Sequence, residues 1–523
     1  MAYAEESTMP DEDPLDADPT PLDIRKLLKP RAFNHPAERI ELRETHISWV
    51  ILTGEWAYKI KKPVRLDFID ASTLALRRHL CNEELRLNRR LAPEIYVEVA
   101  AITQDGDDWR VGGDGVPVDY CVRMKQFSPD NELLALLDSE QVAVEEIGAL
   151  GELIGQFHSQ APVLPPPSAA ENSRGRLAVL ANLAELSEQM QPIAGVMHRL
   201  IHWTETASQK LEEQLALRER SGYVRECHGD LHAANIVRCG NRLVPFDCLE
   251  FNPGLRWIDV MNDIAFLAMD LASHRRMDLA CVLLSRYLEV TGDYSGLRLL
   301  PYFAVYRALV RAKIDTLMMQ QAPQRQAEFN DRRERRLLAA DAWIQPASPI
   351  LILMHGVSGS GKSWMSERLV AALPAIRVRS DLERKRLAQP GDVSMYSHAA
   401  TSRTYAHLLE CACSCLSIGM STIVDATFLS SDERAMFQAM AMRMHVPWFI
   451  VACEARPAIL RARLLKRAAE NTDPSEADAA VAAGQLAKLQ PFAGVEQPHV
   501  VTINTDRPDA VELVAAAVRS APR

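Results

Sequence analysis

The stretch from His228 to Asn235 combines residue types that suit phosphoryl transfer. It reads His-Gly-Asp-Leu-His-Ala-Ala-Asn, so four residues separate Asp230 from Asn235. At this spacing the carboxylate can reach an acceptor hydroxyl, while the amide on the same short loop reaches back to a metal ion on the phosphates. Asp247 ends the second of two apolar runs that follow as a predicted hairpin, and we expect it to point at the same metal site. These three side chains are therefore predicted to converge.

A second phosphate-binding signal lies between an apolar strand at Ile350–His355 and a helical stretch at Trp364–Leu373. The loop between them fits the pattern G-x-x-x-x-G-K-S/T in full, in the strand–loop–helix context that the pattern requires. The loop consists of Gly356, Val357, Ser358, Gly359, Ser360, Gly361, Lys362 and Ser363. Its glycines let backbone N–H groups approach phosphate, and the helix N-terminus adds its dipole. We expect Lys362 to neutralise the β- and γ-phosphates of ATP and Ser363 to bind Mg²⁺.

Strand and helix patterns supply a candidate partner for the first of these sites. Trp56–Ile60 is predicted to be a strand that carries Lys59, and Ser72–Leu91 a helix that carries Glu84. A strand lysine paired with a helix glutamate holds the α- and β-phosphates in protein-kinase-like folds. The neighbouring Glu83 is the alternative partner for this lysine.

Two further predictions concern the end of the same strand and the turn between the two strands that precede it. Lys61 and Lys62 follow the predicted strand directly, and a solvated role is favoured for both. The turn between the predicted strands Arg39–Arg43 and Ile47–Leu52 contains no glycine. The glycine-rich loop that covers phosphates in kinases is therefore missing from this pattern.

Residues after the second loop alternate between strand and helix patterns, which is typical of a parallel sheet. Asp381 follows one predicted strand as a candidate base, with Arg384 three residues on as a candidate clamp for phosphate or substrate. Ligands bind at such strand ends. Asp425 ends the next strand, where an acidic residue positions the Mg²⁺ shell. Arg463 and Arg467 lie on a later helical stretch and are candidates for a lid over the phosphates.

Composition narrows the class of protein. A chain of 523 residues suggests about three compact units. The net charge of −10 provides no global basic field for nucleic acid or membrane. Ten scattered cysteines without a C-x-x-C pair suggest buried thiols and, with no visible signal peptide or membrane-spanning run, a cytoplasmic protein.

The order of the patterns predicts four parts. Residues 1–30 form an acidic, proline-broken tail that is expected to be disordered, although a short helix is possible at Pro21–Leu28. A strand-rich lobe follows at residues 31–127 and a helical lobe at residues 128–345. Residues 346–523 form the part with alternating strands and helices.

Residues 31–345 resemble the aminoglycoside phosphotransferase and choline kinase superfamily, relatives of the protein kinases. The resemblance rests on the His228–Asn235 loop, Asp247 and the pair Lys59 and Glu84. It implies an α+β, protein-kinase-like, two-lobed domain. It also implies Asp230 as the catalytic base or hydroxyl-orienting group, and Asn235 and Asp247 as Mg²⁺ ligands.

Residues 346–523 are similar to small P-loop kinases of the gluconate kinase, zeta toxin and polynucleotide 5′-kinase type. The pair Asp381 and Arg384 matches the base and phosphate-binding arginine of the last of these. The resemblance implies an α/β P-loop kinase domain with a parallel sheet. Both parts together look like a family of bacterial fusion proteins that join the two kinds of domain.

The favoured function is a bifunctional, ATP-dependent phosphotransferase that uses Mg²⁺ and acts on hydroxyl groups of small molecules. In an alternative, residues 31–345 bind nucleotide without catalysis and regulate the second part, because the glycine-rich loop is missing. A third hypothesis makes the second part a nucleic-acid 5′-kinase or a toxin-like kinase, and the acidic balance leans against nucleic acid. No local motif indicates the oligomeric state or the identity of the acceptors.

Overall fold

The computed structural model describes residues 23–66, 69–106, 108–164, 194–345, 348–388, 397–470 and 479–521. The chain forms two compact units. The first unit holds Met1–Ser139, Glu226–Gly240 and Val244–Trp257, and the second holds Glu140–Arg225, Asn241–Leu243 and Ile258–Arg523. The helices after residue 258 thus belong to the same compact unit as the phosphate loop. The domain borders at residues 127 and 345 remain a prediction.

The first unit is built on a six-stranded antiparallel sheet with the strand order β1-β2-β3-β8-β6-β7. The strands of the unit up to residue 125 are β1 (Glu41–Glu44), β2 (Ser48–Leu52), β3 (Trp56–Lys61), β4 (Arg65–Leu66), β5 (Ile69–Asp70), β6 (Tyr96–Asp105), β7 (Asp108–Val111) and β8 (Pro117–Lys125). Strand β3 extends one residue beyond its predicted end. Because side chains alternate along a strand, Lys59 and Lys61 share one face of β3, while Tyr58 and Ile60 share the other.

One face of this sheet is covered by the N-terminal segment. The 3₁₀ helices Ile24–Leu27 and Pro30–Ala32 pack a fully buried Leu27 into a cluster with Tyr58 and Ile60. The helix at Ile24–Leu27 lies within the short helix considered at Pro21–Leu28, and its buried Leu27 joins the core of the sheet. Residues 1–22 of the predicted disordered tail lie outside the described residues.

The opposite face packs on helix α1 (Leu74–Asn88) and on the hairpin of β10 (Ile236–Cys239) and β11 (Arg242–Pro245). Thr73 starts the helix, since its hydroxyl accepts the N–H of Leu76 at 3.2 Å. Buried Val122 and Val237 belong to the same apolar cluster as α1. The sheet, the helix and the hairpin that carry the predicted site thus share one core.

Helices form most of the second unit up to residue 344, and shorter elements connect them. The helices after α1 are α2 (Leu133–Asp138), α3 (Val144–Gln160), α4 (Ala194–Arg220), α5 (Pro253–Arg256), α6 (Val260–Ser273), α7 (Met277–Thr291), α8 (Leu300–Gln321) and α9 (Gln326–Ile344), and the remaining strands are β9 (Val224–Glu226) and β12 (Trp257–Asp259). Of these helices, α2 and α5 belong to the first unit. Helix α6 is apolar and buried along nearly its whole length. An oxygen of its Asp263 lies 3.1 Å from Nε2 of His158, and both side chains are buried. This contact between two buried side chains is consistent with a structural role for His158.

The rest of the second unit is a five-stranded parallel sheet with the order β14-β15-β13-β16-β17. Its strands are β13 (Leu351–His355), β14 (Ala375–Arg379), β15 (Ser421–Asp425), β16 (Trp448–Glu454) and β17 (Val500–Asn504). The helices between and after them are α10 (Lys362–Ala372), α11 (Ser380–Arg386), α12 (His398–Ser417), α13 (Ser431–Arg443), α14 (Pro457–Glu470), α15 (Ala479–Lys488) and α16 (Ala510–Ser520). Because the strands are parallel, the residues that follow them meet at one edge of the sheet.

Within the described residues, no helix combines the length and the apolar character that crossing a membrane requires. None of the ten cysteines, all of which the structure describes, forms a disulfide.

Candidate active sites

The first candidate site, called the Asp230 site below, begins with a loop whose side chains bind one another. The Asn235 side-chain amide donates to the Asp230 carboxylate at 2.9 Å and to its carbonyl at 3.0 Å. His232 Nδ1 accepts the N–H of Ala234, so its proton sits on Nε2, which lies 3.3 Å from the Asp230 carboxylate. The Asp230 side chain remains 31% exposed. A carboxylate held from two sides and open to solvent is suited to meet an incoming hydroxyl.

The same loop is tied to the hairpin by His228. Its Nδ1 accepts the N–H of Asp230 at 3.3 Å, and its Nε2 therefore donates to the carbonyl of Phe246 at 3.0 Å. Gly229 between them has φ +86°, and a Cβ there would lie 2.9 Å from the carbonyl oxygen of Leu255. Glycine is thus required at this position, and the loop has one well-defined path beside Phe246.

The predicted strand lysine and helix glutamate meet beside Asp247. Lys59 Nζ lies 2.8 Å from one Glu84 oxygen and 2.5 Å from an Asp247 oxygen. Glu84 is fully buried. The alternative partner Glu83 instead contacts Arg86 at 2.9 Å. The structure therefore brings Lys59, Glu84 and Asp247 together and leaves Glu83 out of the group.

The expectation that Lys61 is solvated is wrong. Its side chain is fully buried, lies 2.5 Å from the second Glu84 oxygen and also contacts Glu250. The reason is that β3 continues through this residue, which puts Lys61 on the same face as Lys59. Lys62 points the other way, lies 2.7 Å from the exposed Glu44 and donates to the carbonyl of Thr45, so its ammonium stays at the surface.

Burial and neighbouring charges shift the pKa values of Lys59, Lys61, Glu84 and Glu250. Burial alone would raise the pKa of Glu84, but Lys59 and Lys61 hold it at about 2. Burial raises the pKa of Glu250, only partly countered by Lys61. For Lys59, burial works against the charge, yet Asp247 and Glu84 raise its pKa well above the ordinary value. Both lysines and Glu84 are therefore charged at neutral pH.

Asp247 has a left-handed backbone with φ +63°, an uncommon and strained conformation for a non-glycine residue. Two contacts hold it: the Asp247 N–H donates to the Tyr96 hydroxyl at 3.1 Å, and the next N–H, of Cys248, donates to Asn88 at 2.8 Å. Sequence reasoning missed Tyr96 and Asn88, since nothing local marks them. In this conformation an Asp247 carboxylate oxygen lies 2.5 Å from Lys59 Nζ.

The second candidate site is the phosphate loop, Gly356–Ser363, between β13 and α10. Gly356 has φ +136° and Gly361 φ +91°. A Cβ on Gly361 would lie 2.7 Å from the Thr505 hydroxyl, and one on Gly356 would lie 2.7 Å from the carbonyl of Cys453. Lys362 Nζ donates to the carbonyl of Val357 at 2.9 Å. The loop is therefore closely enclosed, with its lysine folded across it.

One acidic side chain lies beside the start of α10, and one buried hydroxyl lies in the loop before it. Asp425 is buried and accepts a hydrogen bond from Ser366 at 3.0 Å, one turn of α10 after Ser363. The buried hydroxyl of Ser360 has no hydrogen-bond partner among the described residues. Hydroxyl and carboxylate oxygens are the ligands that Mg²⁺ prefers, and an unpartnered buried hydroxyl inside the loop fits a phosphate oxygen as its partner.

Asp381 and Arg384 lie in α11, which begins where β14 ends. Strand β14 pairs with β15 so that Arg379 stands opposite Asp425. Asp381 therefore follows the neighbouring strand at the same edge as Asp425. Arg384 contacts the hydroxyl of Thr401 on α12 at 3.4 Å.

Of the two arginines predicted to form a lid, the structure describes the side chain of one. Arg463 on α14 donates to the Thr505 hydroxyl at 2.9 Å and to the carbonyl of Gly359 at 3.4 Å, and it pairs with Asp506 at 3.2 Å. It thus contacts the backbone of the phosphate loop itself. The side chain of Arg467 lies outside the described residues.

Two residues beside the loop escaped sequence reasoning. Gln485 on α15 accepts the N–H of Ser358 at 2.7 Å. His355 ends β13, is buried and donates from Nδ1 to the carbonyl of Phe428 at 3.0 Å. Burial lowers the pKa of His355 to about 4, so a neutral imidazole precedes the loop.

The chain is similar to several known proteins. Residues 351–492 match the family described as an AAA domain. An uncharacterized protein of Mycobacterium tuberculosis strain H37Rv, Rv2004c, is 31% identical over 464 residues, covering 85% of this chain and 90% of that protein. Among solved structures, a choline/ethanolamine kinase family protein from Mesorhizobium loti is 13% identical over 62% of this chain and 93% of its own, with a TM-score of 0.35. A sugar kinase from Janibacter sp. HTCC2649 is 17% identical over 34% of this chain and 96% of its own, with a TM-score of 0.26.

The fold and the sites define a protein of the mixed α and β class, in which a six-stranded antiparallel sheet comes first and a five-stranded parallel sheet follows, with the phosphate-loop pattern inside the part that matches the AAA family. The chain belongs to the same family as the mycobacterial protein Rv2004c.

Proposed function

We propose that the protein is a bifunctional, ATP-dependent phosphotransferase in which each site transfers the γ-phosphate to a hydroxyl group of a small molecule. The observation that carries the proposal is the phosphate loop at the carboxyl edge of a parallel sheet, with Lys362 across it and Asp425 beside it. The Asp230 site supports a second transfer through the contacts of Lys59 with Glu84 and Asp247.

In the Asp230 site, the proposed roles follow from the contacts. Lys59, held by Glu84, would bind the α- and β-phosphates. The Asp230 carboxylate would orient the acceptor hydroxyl and accept its proton, with Asn235 fixing its position. The oxygen atoms of Asn235 and Asp247 suit Mg²⁺, which when bound neutralises charge on the phosphates.

In the phosphate loop, the backbone N–H groups and Lys362 would hold the β- and γ-phosphates. Ser363 and Asp425 would hold Mg²⁺ directly or through water. Asp381 is the proposed base for the acceptor hydroxyl and Arg384 the proposed clamp on the phosphate that moves. Positioning and charge stabilisation account for most of the rate enhancement in such transfers.

The test uses the full-length protein and a panel of metabolites with hydroxyl groups, with ATP consumption as the readout. Lys362→Ala is expected to abolish transfer to the acceptors of one site, and Asp230→Asn transfer to those of the other. The two variants serve as controls for each other, because each leaves one site intact. ATP turnover that survives both substitutions together would contradict the two-site proposal. A 5′-hydroxyl oligonucleotide in the panel tests a nucleic-acid acceptor.

A second candidate function is that the Asp230 site binds nucleotide and regulates the other site without transferring phosphate. The observation that favours it is the turn between β1 and β2, which lacks glycine and is held by Lys62 through Glu44 and the carbonyl of Thr45. Ile47, at the end of the turn, packs in an apolar cluster with Leu80. A turn held on both sides is poorly suited to fold over phosphates.

This second candidate predicts ATP binding that Lys59→Ala weakens in a Lys362→Ala background, without transfer to any hydroxyl compound. A burst of phosphorylated product from the Lys362→Ala protein, lost again on adding Asp230→Asn, would exclude it.

A further inference from the structure

A buried salt bridge links helix α7 to the first turn of the helix that follows the phosphate loop. Arg377 on β14 is 2% exposed. Its guanidinium donates to Glu289 on α7 at 2.8 Å and to the carbonyl oxygen of Ser363 at 3.4 Å. One buried side chain thus connects a carboxylate of the helical region with the residue that is the proposed Mg²⁺ ligand.

The salt bridge is anchored on both sides. The Arg377 N–H donates to the hydroxyl of Ser285 on α7 at 3.1 Å, and its carbonyl accepts from the Tyr294 hydroxyl at 3.4 Å. Glu289 is 8% exposed and also accepts from Arg286 at 3.1 Å. A buried guanidinium needs a carboxylate partner to stay in place, so Glu289 fixes where Arg377 lies.

We propose that Glu289 is a positioning residue for the phosphate loop and acts through Arg377 on Ser363. Fixing the Ser363 carbonyl fixes the peptide orientation of the first turn of α10, where the N–H groups that bind phosphate are located. Phosphoryl transfer depends on placing groups to within about 0.5 Å, and a misplacement of ~1 Å costs about 100-fold. The proposal rests on nucleotide binding by the phosphate loop, as proposed above.

This role assigns part of the phosphate-loop site to the helical region. Glu289 lies outside residues 351–492, which match the AAA family, and 88 residues before Arg377. The P-loop part of the chain therefore takes one of its supports from helices that precede it.

The experiment measures MgATP binding to the full-length protein by titration calorimetry at 10 °C. The component lost in Lys362→Ala reports the phosphate loop. We expect Glu289→Gln to weaken this component by about 10–100-fold, as for other residues that orient a ligand-binding group, and Glu289→Asp to restore part of it. Asp341→Asn is the matched control: it removes a buried carboxylate that pairs with Arg199 at 2.8 Å elsewhere in the helical region.

A double variant separates positioning from folding. If Glu289 acts through Arg377, then adding Glu289→Gln to Arg377→Met weakens ATP binding no further. Additive losses in the double variant, or a Glu289→Gln protein that binds ATP as Asp341→Asn does, would overturn the positioning role and leave the proposed function standing. If Lys362→Ala itself leaves ATP binding unchanged, the proposed function fails and the positioning role fails with it.

Discussion

Replacing Lys61 with methionine tests the buried charge network of the Asp230 site. The substitution keeps the length of the side chain and removes its ammonium group from between Glu84 and Glu250. Lys59 then faces three carboxylates alone, counting Asp247. Removing one partner of a buried ion pair costs about 3–5 kcal/mol, because the other partner keeps its charge without compensation.

The assay is thermal unfolding of the full-length protein followed by tryptophan fluorescence. For a domain of about 150–250 residues, each kcal/mol moves Tm by about 2–4 °C, so we expect a loss of about 10 °C in the transition of the first unit. The loss also depends on pH. Glu250 already has a raised pKa, and removing Lys61 raises it further. The folded state then binds the extra proton, so the variant becomes less stable as pH rises and its deficit is larger at pH 8 than at pH 5.

Two comparisons decide the outcome. Lys62→Met removes the neighbouring ammonium, whose partner Glu44 is exposed to water, and is expected to change Tm little. Adding Glu250→Leu to Lys61→Met is expected to recover most of the loss, since an apolar pair often replaces a buried ion pair without cost. A Lys61→Met protein that melts within about 2 °C of the wild type would refute the buried network.

Three more outcomes are expected. Gly361→Ala places a Cβ 2.7 Å from a neighbouring hydroxyl at φ +91°, so it should abolish the same component of fluorescent ATP-analogue binding that Lys362→Ala abolishes; Gly484→Ala, with no described atom within 4 Å of the added Cβ, should retain this component. His355 has a folded pKa of about 4 against about 6.5 unfolded, so the unfolded state binds more protons between these values and stability falls by up to about 3 kcal/mol as pH drops through the window; urea unfolding at several pH values should show this loss in the wild type and not in His355→Asn. Tyr96→Phe removes the acceptor of the Asp247 N–H and should cost about 1–3 kcal/mol in urea unfolding, whereas an unchanged midpoint would mean that this hydrogen bond contributes nothing.

Local patterns predicted much of the fold. The phosphate loop combines a strand, a glycine-rich turn and a helix within about twenty residues, so every requirement was visible in one stretch of sequence. The strand that carries Lys59 and the helix that carries Glu84 were likewise marked by their own periodicity. The contact between these two side chains was expected only because the residue types matched a known device.

Contacts between residues that are distant along the chain could not be predicted from the sequence. A solvated Lys61 was expected because the residue follows the predicted end of a strand. Nothing in the local sequence indicates its partner Glu250, which is 189 residues further along the chain. Tyr96 and Asn88 stabilise Asp247 from elements that carry no motif. A single sequence reveals periodicity and turn chemistry, whereas burial of a charge depends on which surfaces meet.

The salt bridge between Glu289 and Arg377 also bears on how the chain can be divided. A fragment that begins at Pro349 keeps the complete parallel sheet and the phosphate loop but loses α7, so Arg377 loses both its carboxylate partner Glu289 and the helix that packs beside it. A fragment that retains the pair together with the whole of α7 must begin before Met277, well inside the helical region. The P-loop part of this protein is thus recognisable as a module in sequence, while its excision would cut through a packed core.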